Sequence, residues 1–163
     1  MKIDFADLLR QLGAKAEREG LRLHGRVETI LVRPDGSTLV RVRDNLIVDT
    51  GFDFIADAIG KASGRPDVMS HIAVGTGTNA AAAGNTGLQT EIARKAATYS
   101  HTAGTKVFVF DATFNPGEAT GAITEAGVIN AASSGTLLDR VVFAVINKGA
   151  DDTLTQRFTF TMS

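Results

Sequence analysis

The sequence predicts a mainly β chain with minor α content: an antiparallel β-sandwich preceded by a helix and a β-hairpin. Three observations predict it. Six short apolar segments recur through the second half with Gly, Asn and Asp between them, the spacing of an antiparallel β domain. The last of them alternates, with Phe158 and Phe160 on one side and Arg157, Thr159 and Thr161 on the other, as a strand with one buried face does. Helical periodicity is confined to two places before residue 61.

Taken in order, the first of those places carries Phe5, Leu8, Leu9 and Leu12 at i, i+3, i+4 and i+7, with Asp4 as N-cap and Gly20 as stop. That spacing predicts an amphipathic helix with one stripe to bury, against its own domain or a neighbour. Asp7, Arg10, Gln11, Lys15 and Arg18 form its wet side. Over 26–43 the pattern changes to Val27, Ile30, Val32, Val40 and Val42 around the turn Arg33-Pro34-Asp35-Gly36-Ser37, which predicts a β-hairpin. Thr50 is then expected to cap a second helix carrying Phe52, Ile55 and Ile59 and stopping near Gly60. Residues 61–67, with Gly64 and Pro66, read as a linker or an exposed loop.

Strands are expected over 72–74, 95–102, 107–114, 122–130, 138–147 and 153–162. They make an immunoglobulin-like or jelly-roll-like sandwich the first expectation and a partly open barrel the alternative. The chain thus divides into a possible anchoring region, 1–60, and a β-sandwich domain, 61–163. One segment breaks the regularity: 75–87, Gly-Thr-Gly-Thr-Asn-Ala-Ala-Ala-Ala-Gly-Asn-Thr-Gly, is long and nearly without large side chains. A loop of that kind is either a mobile surface element or one ordered by a partner.

Composition narrows the classes of function. A chain of 163 residues suffices for a real core without disulfide or metal staples. A net charge of −1 with dispersed basic residues argues against nucleic-acid binding. The absence of Cys excludes disulfide frameworks, thiolate zinc sites and cysteine nucleophiles. Residues 1–20 mix Asp4, Asp7, Arg10, Lys15, Glu17, Arg18 and Glu19 among the apolar positions, so no signal peptide and no export are expected. No apolar run approaches the ~18 residues that a spanning helix needs, so no membrane contact is expected.

No catalytic, cofactor or metal site emerges. Gly75-Thr76-Gly77 follows a predicted strand, but Ala80 stands where the dinucleotide fingerprint wants its third glycine, and no P-loop lysine follows. His24, His71 and His101 lie far apart without a second ligand at metal spacing. Ser100 and His101 are adjacent in a strand and therefore face opposite ways. Carboxylates near turns, Asp111, Glu118, Glu125, Asp139, Asp151 and Asp152, offer no basis for choosing a catalytic pair. With no Trp and Tyr99 as the lone tyrosine, a stacking platform for sugars is poorly supplied. Asp151-Asp152 is expected to shape the turn before the last strand, with a cation site as the minor alternative.

The run Ser70-His71-Ile72-Ala73-Val74-Gly75-Thr76-Gly77, followed by Thr86-Gly87-Leu88, Glu91 and Arg94, resembles tail-fibre and collar-type virion proteins of tailed bacteriophages. Ala112-Thr113-Phe114, the stretch 117–121, Ile123-Thr124-Glu125-Ala126-Gly127 and Asp152-Thr153-Leu154-Thr155 are similar to the rest of that module, which covers about 46–163. The resemblance carries no catalytic residue. It implies a non-enzymatic structural protein of the virion, assembled in the bacterial host cytoplasm. Its partners would be other virion proteins and further copies of itself, as a trimer or ring. A capsid decoration protein on the head and a carbohydrate-binding host adhesin are the competing expectations.

Overall fold

The computed structural model describes residues 20–163. The helix expected over the first 20 residues therefore falls, but for Gly20, outside the described residues. β1 (Leu23–Val32) and β2 (Thr38–Ile47) form the predicted hairpin, closed by Arg33 N–H donating to Ser37 O at 2.9 Å. A single helix follows among the described residues, α1 (Asp49–Gly60), and then seven strands: β3 (His71–Gly75), β4 (Glu91–Ala96), β5 (Thr98–His101), β6 (Val107–Phe114), β7 (Gly121–Ile129), β8 (Asp139–Lys148) and β9 (Thr153–Met162).

The nine strands form one antiparallel sheet in the order β4-β3-β7-β8-β2-β1-β9-β6-β5. Its two end strands, β4 and β5, are consecutive in the chain with only Ala97 between them, so the sheet nearly closes on itself. The weakest junction is β2 to β8, which share the register pairs Leu46–Arg140 and Ile47–Asp139. Along the rest of β2 the free edge is capped by its own side chains: Arg41 and Arg43 donate back to the carbonyls of Val40 and Val42. Charged side chains laid along an edge in this way hinder another strand from adding to it.

The boundary expected at residue 60 is crossed by the sheet. β1 runs in register with β9 from Leu23–Met162 to Val32–Thr153, so the hairpin is built into the centre of the β structure. Sequence alone could not show this, because the pairing joins segments more than a hundred residues apart.

The core follows from the alternation. On β1, β9 and β6 the inward positions stack in tiers: Val27, Phe158 and Phe110; Thr29, Gln156 and Ala112; Leu31, Leu154 and Phe114. In the middle tier the small Ala112 sits opposite Gln156, whose Oε1 accepts from Thr29 Oγ1 at 2.7 Å. Val32 and Val40 of the predicted hairpin face outward and are exposed, since the strand period gives them to the other side.

The second helix departs from expectation in its cap and its face. Val48, in an extended conformation, precedes it without a side-chain cap, and Thr50 instead donates to Leu137 O at 2.9 Å. Phe52 and Ile59 are exposed, while Phe54 and Ile55 pack on the core and Gly51 lies flat on the chain at Leu138. A Cβ on Gly51 would stand 2.1 Å from Leu138 O, so the close approach of helix to sheet decides which face is inside.

Candidate functional site

The segment 75–90 is held from beneath by two charged residues of neighbouring strands. β7 reads Gly-Ala-Ile-Thr-Glu-Ala-Gly-Val-Ile, and every residue from Ile123 to Ile129 is buried. A strand buried on both faces needs a cover on each side; the core supplies one and the 75–90 segment the other. Glu125 lies on the covered face, and a register irregularity between Ile123 and Glu125 sets its position. Arg140 comes from β8, two residues before the register partner of Glu125, Val142, and so on the same face.

Glu125 and Arg140 are almost wholly inaccessible, at 0% and 1% exposure. Their charges meet at 2.9 Å from Nε and 2.8 Å from Nη2 to Oε2. Glu125 also accepts the backbone N–H groups of Gly77 (3.0 Å), Gln89 (2.9 Å) and Thr90 (2.7 Å). Arg140 donates to Asn79 O (3.0 Å), Ala80 O (3.3 Å) and Asn85 Oδ1 (3.0 Å). Thr124 closes the set by donating to Gly77 O at 2.7 Å. A buried ion pair is tolerable only where the remaining donors and acceptors are satisfied, and here each carboxylate oxygen accepts twice. Burial by itself would raise the Glu125 carboxyl; the bonds from Thr90, Gln89, Arg140 and Gly77 outweigh it and hold the group below the usual carboxylate range.

The glycines of the 75–77 run are explained by this carboxylate and not by a phosphate. A Cβ at Gly75 would meet Glu125 Oε1 at 2.6 Å and Thr90 O at 2.4 Å; at Gly77 it would meet Glu125 Oε1 at 2.4 Å. The loop is thus tied to its own chain by these hydrogen bonds. Its far end is tied to α1, where Asp49 N–H donates to Ala83 O at 2.8 Å.

Next to Arg140 on β8, Asp139 points the opposite way and is also fully buried. Its hydrogen-bonding partners are neutral: the side-chain amide of Asn45 and the N–H of Val128 at 3.0 Å. Burial raises its carboxyl to about 7, against which those two bonds are insufficient. Asn45 Oδ1 is buried with no hydrogen-bond partner. Lys148 is a further buried charge of this half; its ammonium is received by the carbonyls of Asp152 (2.7 Å) and Asn115 (3.2 Å), and burial lowers it.

The remaining residues singled out from sequence are not brought together. Asp111 pairs with Arg157 at 2.8 Å, and Glu118 pairs with Lys95 and accepts from Asn115 N–H. Asp152 accepts from Gly149 N–H at 2.8 Å and forms the turn before β9, as expected. His24, His71 and His101 lie on three different strands, bonded respectively to Asp44, Ser70 and the Val107 carbonyl. Among the described residues no three His, Asp or Glu side chains converge as a metal site. Arg140 was not singled out from sequence. The available signal was a charged residue inside an apolar run, Thr124-Glu125 in one strand and Asp139-Arg140 in the next.

These features define a mainly β protein in which the longest loop among the described residues is locked onto the sheet by a buried ion pair. Comparison with protein-family models, curated proteins and solved structures gives no match for the chain.

Proposed function

We propose that this protein is a non-enzymatic structural component of a tailed-phage virion, associated with the tail or its collar and acting through protein–protein assembly. The observation that carries the reading is the role of the residues behind the resemblance. Gly75, Gly77, Thr124 and Glu125 build the internal lock, and Glu91 and Arg94 form a second tie: Arg94 pairs with Glu91 at 2.8 Å and donates to Ala131 O and Ser134 O at 2.7 Å. The pattern behind the resemblance would thus serve to hold a loop and a strand in place on a scaffold, the property that an assembly part needs. Its partners would be other virion proteins and further copies of the chain, as a trimer or ring, assembled in the host cytoplasm.

As part of the same reading, the nearly closed sheet is proposed to be a two-layered sandwich. The two-pair junction of β2 with β8 would form one corner and Ala97 the other. The adhesin alternative finds little support at Tyr99, whose nearest rings are Phe108 and Phe110, an apolar and not a sugar-binding neighbourhood.

Quantitative mass spectrometry of purified particles, with heads and tails separated, tests the proposal. Small-ring copy numbers in the tail fraction are expected. Lattice-level numbers in the head fraction would replace the tail reading by a capsid decoration protein, and absence from both fractions would overturn the virion role.

A further inference from the structure

The junction of β2 with β8 is the thinnest in the sheet, and one of its two register pairs, Ile47–Asp139, contains a buried acid. Asp139 shares a face with Ile47 and Asn45, where its Oδ2 accepts from Asn45 Nδ2 and its Oδ1 accepts the N–H of Val128 on β7 at 3.0 Å. Three strands thus meet on this one group. Among the described residues no charged side chain faces it. Asp44 on β2 is turned outward onto His24 at 3.4 Å, and Arg26 on β1 is exposed as His24 is. Glu125 on β7 and Arg140 on β8 bind each other on the opposite face. On α1, Asp49 and Asp53 are exposed and Asp57 pairs with Lys61 at 2.8 Å. A carboxyl sealed from water without a cation is more stable neutral, and the neutral form carries a hydrogen-bond donor that the ionised form lacks.

The second observation is an acceptor in need of that donor. Asn45 Oδ1 is buried with no hydrogen-bond partner, on the same amide whose Nδ2 already donates to Asp139. The amide is pressed against Gly25 of β1, where a Cβ would stand 2.1 Å from Oδ1. Acid and amide are complementary: the amide N–H donates to one carboxyl oxygen while the acid O–H donates to the amide oxygen, and the soft terminal torsion of Asn lets the two groups align. We propose that Asp139 and Asn45 form a proton-operated latch: the neutral acid gives its O–H to Asn45 Oδ1 and holds β2 to β8, and release of that proton to water unfastens this junction while the rest of the sheet stays paired. In the ionised state Asn45 Oδ1 is orphaned beside a carboxylate, and only two register pairs resist their separation. Burial sets the working point, since it raises the Asp139 carboxyl to about 7. The latch is therefore closed in mild acid and opens as pH rises through neutrality. It is a property of the isolated chain and does not rest on the virion reading.

Two measurements on the full chain test it. By carbon-13 NMR the carboxyl carbon of Asp139 is expected to titrate near pH 7; titration below pH ~5 would overturn the proposal. Native-state hydrogen exchange locates the opening. The N–H of Val48, which donates to Leu138 O at 3.2 Å, and that of Val128 are expected to lose protection about tenfold per pH unit between pH ~5 and ~6 and to level off above about 7. At every pH they should stay at least about tenfold less protected than the paired amides of β1 and β9. Equal protection at the two places would mean that the junction opens only with the whole sheet, which would overturn the latch. In Asp139→Asn the new amide is a donor that cannot ionise, so the pH dependence of Val48 protection is expected to vanish, and its persistence would overturn the assignment to Asp139. Should that variant fail to fold, the wild-type titration and exchange decide the matter.

Discussion

Glu125 and Asp139 are both carboxylates with no exposed surface, set on adjacent strands of one sheet, yet their surroundings drive them in opposite directions. Glu125 faces a guanidinium and three backbone N–H groups and is held ionised. Asp139 faces one side-chain amide and one N–H, and burial keeps its carboxyl protonated up to about pH 7. The difference teaches that depth alone does not set the state of a buried acid; the number and charge of its donors do. One carboxylate locks a loop, and the other weakens the seam between β2 and β8 whenever it ionises.

Breaking the comparison on the Glu125 side gives the largest expected effect. Arg140→Ala leaves a buried carboxylate without its cation and frees Asn79, Ala80 and Asn85 of the loop. A loss of about 3–5 kcal/mol is expected in urea unfolding, together with new protease cleavage between residues 75 and 90. A loss below about 1 kcal/mol would mean that the pair contributes no more than an exposed one.

The Asp139 side is next in size, and its sign is opposite. An acid raised from 3.8 in the unfolded chain to about 7 in the folded one stabilises the fold fully below pH 3.8 and loses that contribution as pH rises through 7. The difference is on the order of 4 kcal/mol. Glu125, held low when folded, works the other way: its contribution is present at neutral pH and lost in acid. Together their joint contribution is greatest near pH ~4, where the Glu125 gain is nearly complete and the Asp139 loss has only begun. Asp139→Asn is expected to flatten the decline between pH 4 and 7 and raise stability at neutral pH, as read from melting temperature against pH. An unchanged profile would remove Asp139 as its cause.

A smaller change sharpens the same picture. Gly77→Ala pushes a methyl group against Glu125 Oε1, and a loss of about 1–3 kcal/mol is expected. The Gly77→Ala/Glu125→Gln double variant tests the coupling: the two losses should fail to add by more than about 0.5 kcal/mol.

Much of the scaffold was legible before any coordinates. The segments 107–114 and 153–162 coincide with β6 and β9, and the hairpin turn falls where Pro34, Asp35 and Gly36 put it. The segment 95–102 differs: the strand is broken at Ala97 into β4 and β5, which serve opposite ends of the sheet. The site was visible only as parts. Glu125 and Asp139 appeared as two carboxylates among six, and the Gly75–Gly77 run resembled a truncated phosphate loop until its true neighbour, a carboxylate, was in place.

By itself the sequence determined what repeats locally. The period of two in its apolar residues specified strands, and Gly, Pro and Asp specified the turns, because both are set by backbone sterics within a few residues. Tertiary structure alone decided which strands became neighbours, that β1 joins β9, that Arg140 lies under the 75–90 loop, and that Glu125 and Asp139 take opposite protonation states. These outcomes depend on register between distant segments and on the electrostatics of burial, neither of which is carried by any local pattern.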